Sequence, residues 1–419
     1  MEKNLPLGNT HKKDSILLVY LFYVWTFVLI ARPQDFMDGL KPIRPALSVG
    51  LIVVILYVFN YAFYKNRLID NQQCRLYLYL LATMIISIPF ASYRRGAFEF
   101  VFTKYIVIVI YFFLFYKIID NTKKLQGLLW IACVGTSMYL LSALYLGEMN
   151  SGRLQFGEML DPNDLAFFAL SFLPFNILFL SKNNPWWNRL LFLVNIAVGI
   201  LVILMTGSRG GFIALGIVLI LLLFLKQRTV KISYKIIVAV IASMTVIYGG
   251  ATIDFSRIKT ISQIGEDYNV WDETGRLEVW KKGLEMMLND PLTGVGVTCF
   301  SEAIGQKRKE QGLQELWQAP HSSLVQIGAE TGIFGLILFL LISYKALKIF
   351  GNVKNRSNDV KMIKIGEMAR ISFVGHFVAS LFLSQAYSLY WAFFIVLSAA
   401  MMRFSMEAVP IAATVKPTV

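Results

Sequence analysis

Long apolar runs separated by short polar segments recur along this chain. Because a helix needs roughly 20 apolar residues to span a bilayer, the pattern predicts an all-α, polytopic membrane protein with about 12 transmembrane helices. The candidate spans lie near residues 16–31, 47–64, 75–91, 101–119, 126–146, 164–181, 188–206, 210–226, 232–250, 323–347, 368–385 and 387–403. An alternative interpretation joins 188–206 and 210–226 into one broken helix.

One polar segment, residues 251–322, is much longer than the others. Within it, four apolar residues recur at helical spacing and predict an amphipathic helix that begins near Thr274 and ends at Asp290-Pro291. These residues are Leu277, Trp280, Leu284 and Met287. A second short helix is predicted over 301–311. We expect the segment to lie on the outer membrane surface with its apolar face down.

The distribution of charge orients these helices. Of the 40 Lys and Arg residues, 24 fall in segments on the side of the N-terminus and eight in short loops on the opposite side. The positive-inside rule therefore predicts that both termini are cytoplasmic and that the long segment is external. The same rule accounts for most of the net charge of +14, so no nucleic-acid partner is expected.

The chain is thereby divided into three parts. Residues 1–250 form membrane helices 1–9, residues 251–322 form the external helical loop, and residues 323–419 form membrane helices 10–12 and a cytoplasmic tail. The composition, 56% hydrophobic and 16% charged, agrees with a membrane protein. The three scattered cysteines show neither a disulfide framework nor metal-ligand spacing.

Three polar residues lie where these elements meet the outer surface. His321 precedes the tenth span, where Ser322 or Ser323 can cap the helix and the helix dipole favours a neutral imidazole. Arg209 lies in the tight link between the seventh and eighth of these apolar runs, where a membrane arginine is costly. Arg276 opens the amphipathic helix. Two arginines suit bidentate binding of a diphosphate, and a neutral histidine suits removal of a proton from a hydroxyl.

Each of these residues also has a structural explanation. Arg209 can snorkel to the lipid headgroups, Arg276 can be a surface charge, and His321 can be a polar helix cap. Glu330, inside the tenth span, is either bonded within the helix bundle or part of the site. Spacing alone does not decide between these interpretations.

Four short motifs, in order, resemble signatures of the O-antigen ligase and polymerase superfamily. They are Asp161-Pro-Asn-Asp-Leu-Ala166, Thr206-Gly-Ser-Arg-Gly-Gly211, Gly275-Arg-Leu-Glu-Val-Trp-Lys281 with Asn289-Asp-Pro-Leu-Thr-Gly-Val-Gly296, and Pro320-His-Ser-Ser-Leu-Val-Gln-Ile-Gly-Ala-Glu-Thr-Gly-Ile-Phe-Gly335. The resemblance covers residues 150–345. Ser322 and Asp161 depart from the family pattern, since each stands where asparagine is common.

The resemblance implies a metal-independent, inverting glycosyltransferase with a membrane glycosyltransferase (GT-C-like) fold and no cofactor. Its donor would be an undecaprenyl-diphosphate-linked glycan at the periplasmic face of the bacterial inner (plasma) membrane. By the same resemblance, His321 matches a proposed catalytic base, and Arg209 and Arg276 match arginines assigned to the diphosphate. Asn163, Ser322 and Glu330 are candidate supporting residues.

The acceptor stays open within the superfamily. A ligase transfers the glycan to lipid A–core, a polymerase transfers it to a second lipid-linked glycan, and protein-modifying relatives transfer it to Ser or Thr. We expect a ligase, with a polymerase as the alternative, and with membrane lipids and these glycans as partners.

Two further classes compete with this interpretation. A transporter of polyprenyl-linked glycans is disfavoured, because transporters often have two related halves and the 251–322 segment has no counterpart in the first half. A metal-dependent glycosyltransferase would need clustered carboxylates near an external loop. Asp35 and Asp38 are the only early candidates for such a cluster.

Overall fold

The computed structural model describes residues 15–61, 64, 68–157, 161–224, 229, 231–249 and 275–407. This part of the chain is mostly helical, with one short antiparallel hairpin formed by β1 (Glu148–Asn150) and β2 (Arg153–Gln155). Its α-helices, in chain order, are α1 Ile16–Ala31, α2 Pro45–Phe59, α3 Gln72–Ser87, α4 Arg94–Glu99, α5 Ile106–Ile118, α6 Thr122–Leu146, α7 Pro162–Phe172, α8 Trp186–Met205, α9 Arg209–Phe224, α10 Ile232–Gly249, α11 Arg276–Asn289, α12 Phe300–Glu310, α13 Ser323–Arg356, α14 Val360–Ser380 and α15 Leu389–Glu407.

Each predicted span coincides with a helix of the described chain, which confirms a polytopic, all-α architecture. In the described part of the chain, seven helical stretches are long and apolar enough to cross a membrane, and four shorter apolar helices accompany them. α14 falls in neither group, because its first half carries Lys361, Lys364, Glu367 and Arg370. The number of about twelve spans therefore stays a prediction. α8 and α9 are separate helices with three residues between Met205 and Arg209.

The two helices predicted in the external segment are present as α11 and α12, whereas residues 251–274 lie outside the described part. That the apolar face of α11 lies on the membrane surface stays a prediction, and a different face packs against the protein. Leu284 is 52% exposed, and the buried residues are Val279, Gly283 and Met286. A Cβ atom on Gly283 would lie 2.3 Å from Cγ1 of Val325. The contact with α13 therefore selects a small residue, and not the large apolar ones that a sequence pattern emphasises.

α13 is interrupted at Gly332, where φ is 71° and ψ is −172°, a conformation that suits glycine. The preceding loop fits into this break. The amide of Ile333 donates to the Pro291 carbonyl at 2.8 Å, and the amide of Val295 donates to the Ala329 carbonyl at 2.9 Å. A Cβ atom on Gly332 would lie 2.5 Å from the Pro291 oxygen. The interlocked loop and helix fasten the segment before α13 to the helix bundle.

Glu330 belongs to this interlock. Its side chain is 1% exposed, and its carboxylate accepts hydrogen bonds from the amides of Thr298 at 2.8 Å and Phe300 at 3.4 Å. The structure shows that this carboxylate is bonded to the loop before α12, and a role for Glu330 in the site stays a prediction. Glu330 therefore holds the turn that precedes α12.

Candidate functional site

The loop 381–388, which joins α14 to α15, organises the candidate site. The hydroxyl of Ser384 accepts a hydrogen bond from the amide of His321 at 2.9 Å. The hydroxyl of Ser323 donates to the Leu383 carbonyl at 2.8 Å and accepts from the amide of Gln385 at 3.0 Å. These bonds fix the start of α13, and with it His321, against the loop.

The prediction that the side chain of Ser322 or Ser323 caps α13 is wrong. Ser322 occupies the N-cap position of α13, but its side chain makes no capping hydrogen bond. Ser323, the other candidate, uses its hydroxyl on the 381–388 loop and not on its own helix. A tertiary contact has replaced the local one that a Ser-Ser pair predicts.

His321 is half-buried and has a φ of 46°, in the left-handed region that histidine enters more readily than most residues. Burial lowers the pKa of its imidazole, the nearby charge of Arg276 lowers it further, and the charge of Asp161 opposes both. The direction agrees with the expected neutral histidine. Its causes are burial and an arginine, whereas the sequence pointed to the helix dipole.

Arg276 opens α11, which is fastened to the histidine loop. One turn further along, Trp280 donates from Nε1 to the carbonyl of Pro320 at 3.0 Å. This bond holds α11 against the residue that precedes His321, so that the charge of Arg276 acts on the imidazole. The structure therefore places Arg276 within electrostatic range of His321, and their membership in one site stays a prediction.

Arg209 is half-buried and begins α9 beside the same 381–388 loop. A Cβ atom on the next residue, Gly210, would lie 3.1 Å from the side chain of Phe382, which is two residues before the serine that holds His321. The start of α9 is thus packed on the loop that fixes the histidine. Arg209 and His321 border one region of the protein.

The start of α7 completes this region. Asp161 accepts hydrogen bonds from the amides of Asn163 at 2.7 Å and Asp164 at 2.9 Å, and so caps the helix. Gln385, in the 381–388 loop, donates from Nε2 to Asp164 at 2.8 Å. Aspartate and asparagine both cap helices well, so the departure from the family pattern at Asp161 keeps this structural role.

Arg153 is the residue that the sequence reasoning missed. It lies in β2, donates from Nε to the carbonyl of Thr206 at 2.9 Å, and donates from Nη2 to Oδ1 of Asn163 at 2.9 Å. It therefore joins the Asp161–Ala166 motif to the Thr206–Gly211 motif. In the sequence, Arg153 is one charge in an external loop, and no local pattern indicates its partners.

The two carboxylates that a metal-dependent alternative would use are each paired with a basic residue. Asp35 forms an ion pair with Arg32 at 2.7 Å and accepts a hydrogen bond from the hydroxyl of Tyr139 at 3.2 Å. Asp38 is exposed and pairs with Lys41 at 3.0 Å. Within the described ranges, no three His, Cys, Asp or Glu residues are grouped so that they could hold a metal ion.

Comparison with known proteins points to one family. Residues 190–340, which contain Arg209, Arg276 and His321, match a family model described as O-antigen ligase. A protein of Rickettsia conorii, named as a candidate polysaccharide ligase, is 32% identical over 87 residues. That alignment covers 20% of this chain and 21% of the relative, so the chain matches about a fifth of the relative's length. These findings confirm the resemblance that the motifs predicted, and the similarity to the O-antigen ligase family lies in residues 190–340 of this chain.

Proposed function

We propose that this protein is a glycosyltransferase that moves a glycan from an undecaprenyl-diphosphate donor to a hydroxyl of lipid A–core at the periplasmic face of the inner membrane. The observation that carries the proposal is the convergence of His321, Arg276, Asp161 and the start of α9 around the 381–388 loop. The family match supports the ligase class. The proposal includes cytoplasmic termini and a reaction that needs no metal ion.

In this mechanism His321 takes the proton from the acceptor hydroxyl. Its lowered pKa keeps the imidazole neutral, and therefore able to accept a proton, at neutral pH. The negative charge of Asp161 then stabilises the imidazolium that forms, since it favours the protonated histidine.

The acceptor oxygen forms a bond to the anomeric carbon as the bond from that carbon to the diphosphate breaks. Undecaprenyl diphosphate leaves with the electron pair, and one displacement inverts the anomeric configuration. Arg209 and Arg276 bind the phosphate oxygens and stabilise the charge that develops on them. Diphosphate is already a good leaving group, so no acid is required.

The test is an assay with the purified protein in detergent, one lipid-linked donor, excess chelator, and either lipid A–core or a second donor molecule as acceptor. We expect glycan on lipid A–core and release of undecaprenyl diphosphate. The His321→Ala protein should lose turnover and keep donor binding, while Arg95→Ala, a change at an exposed arginine, should behave as wild type.

Each other outcome contradicts part of the proposal. Growth of the glycan on the second donor would identify a polymerase. A donor that is never consumed would favour transport, and turnover that stops in chelator would indicate a metal ion. Wild-type turnover by the His321→Ala protein would exclude this histidine as the base.

A further inference from the structure

A cleft lies between α11 and α12, on the external segment and outside the cluster around His321. Its volume is about 540 Å³, within the range of roughly 300–1,000 Å³ for sites that bind small molecules. Glu278, Lys282, Glu285 and Asn289 line it from α11. Their spacing of four, three and four residues places them on one face of the helix.

These four residues give the cleft a polar wall on α11, beside the buried contact of Gly283 with α12, where a Cβ atom would lie 2.9 Å from Cε2 of Phe300. α12 contributes Gln306, Lys307 and Glu310 to the opposite wall. The two walls are joined by an ion pair between Lys307 and Glu285 at 3.0 Å. Both side chains are more than half exposed, so this pair contributes little and a ligand can displace it.

The floor of the cleft differs from its walls. Met286, Val295 and Ile304 line it and are buried. A ligand that fits must therefore offer hydrogen-bonding groups at its edges and apolar C–H groups on one face. A sugar ring has this arrangement, and amide and carboxylate side chains supply the donors and acceptors that its hydroxyl groups need.

The charge of the cleft argues against a phosphate or nucleic-acid ligand. Its lining carries the acidic residues Glu278, Glu285, Asp290 and Glu310 beside the basic residues Lys282, Lys307 and Arg308. A site for phosphates presents a clear excess of positive charge. The mixed lining instead suits a neutral or weakly charged polyol.

The cleft is connected to the candidate reaction site through α11. Arg276 begins this helix, and Asn289 ends it, about 20 Å further along the axis at 1.5 Å per residue. Nζ of Lys282 donates to the side-chain oxygen of Gln318 at 3.4 Å, three residues before His321. A glycan chain extending from the His321 site would reach the cleft along this helix.

We propose that the cleft between α11 and α12 binds a short oligosaccharide through its hydroxyl groups and positions a glycan substrate of the His321 site. The choice of ligand rests on the proposed glycosyltransferase function. Two sources share this chemistry, namely the glycan of the lipid-linked donor and the core oligosaccharide of the acceptor.

The experiment measures binding without requiring turnover. Saturation-transfer NMR on the full chain in detergent uses two probes, the core oligosaccharide released from lipid A–core and the repeat unit released from the donor. We expect one probe to bind, and that probe identifies the source. The double variant Asn289→Ala/Gln306→Ala should bind it about tenfold more weakly, because two hydrogen bonds to sugar hydroxyls are lost.

Two controls separate the possible failures. Lys309→Ala changes an exposed residue of α12 that does not line the cleft and should bind as wild type. His321→Ala should also bind as wild type, although it lacks turnover. If neither probe binds the wild-type protein, or if the double variant binds unchanged, the cleft is not a glycan site. If the probe binds but no donor is consumed, the result supports the glycan-binding cleft and contradicts the proposed transfer reaction.

Discussion

Arg153 joins two motif segments beneath the candidate site, and its removal tests whether the site is held together in this way. Its Nε and Nη2 atoms each donate a hydrogen bond of 2.9 Å, to the Thr206 carbonyl and to Oδ1 of Asn163. Thr206 lies three residues before Arg209 and is fully buried. Arg153→Ala should therefore loosen the turn that presents Arg209 to the donor diphosphate.

The two bonds set the expected magnitude. A hydrogen bond from a charged donor contributes about 1.5–3 kcal/mol, so the lower value for each gives a loss of about 3 kcal/mol. If this loss falls on the placement of Arg209, kcat/KM for the donor decreases about a hundredfold. Arg153→Lys has one amine and keeps at most one bond, which predicts a loss of about tenfold. Asn163→Ala removes the other bond alone and should have a similar effect.

The assay is the initial rate of glycan transfer against donor concentration, with the unfolding temperature of each detergent-purified variant as the check on folding. Arg95→Ala is the control, because this arginine is exposed and makes neither of the two bonds tested. A folded Arg153→Ala protein with wild-type kcat/KM for the donor would show that the hairpin does not position the site. If that variant does not fold, the milder Arg153→Lys and Asn163→Ala proteins decide the question.

Two other sets of substitutions examine the charge around His321 and the break in α13. Transfer should fall as pH decreases through the pKa of His321. Arg276→Gln removes a positive neighbour, so the pKa of His321 and the pH at which activity is lost should both increase. Asp161→Asn keeps a helix cap but removes a negative neighbour, so both should decrease. If neither substitution changes the pH at which activity is lost, His321 is not the titrating base. Gly332→Ala introduces strain at a φ of 71° and places a Cβ atom 2.5 Å from a carbonyl oxygen. The free energy of unfolding should therefore decrease by at least about 2 kcal/mol. Gly216→Ala is its matched control, because no atom lies within 4 Å of the added Cβ, and equal unfolding temperatures for the two variants would contradict this account of the break.

The membrane helices, α11 and α12 could be predicted from the sequence because the signals for them are local. Apolar runs mark the spans, and Asp290-Pro291 and Gly312 mark helix ends within one or two residues of where the structure has them. Polar residues stand out against an apolar chain, and so His321, Arg209 and Arg276 could be selected from the sequence alone. The order of four short motifs along the chain indicated the family.

The errors concern features that depend on a partner. The hydroxyl of Ser323, which the sequence offers as a helix cap, is used instead by a loop about 60 residues away. Spacing along the chain also did not show the bonds that Glu330 accepts from the Thr298 and Phe300 amides. Neither helical periodicity nor capping preference contains information about such partners.

The sequence by itself determined the membrane class of the protein, the positions of its helices, and the identity of the polar residues at their ends. Those properties follow from hydrophobicity and backbone preference over a few neighbouring residues. Only the tertiary structure decided that the 381–388 loop holds His321, that Arg153 joins two motifs, and that α11 and α12 enclose a polar cleft. These features form between residues that are distant in the chain, and they exist only once the helices have packed.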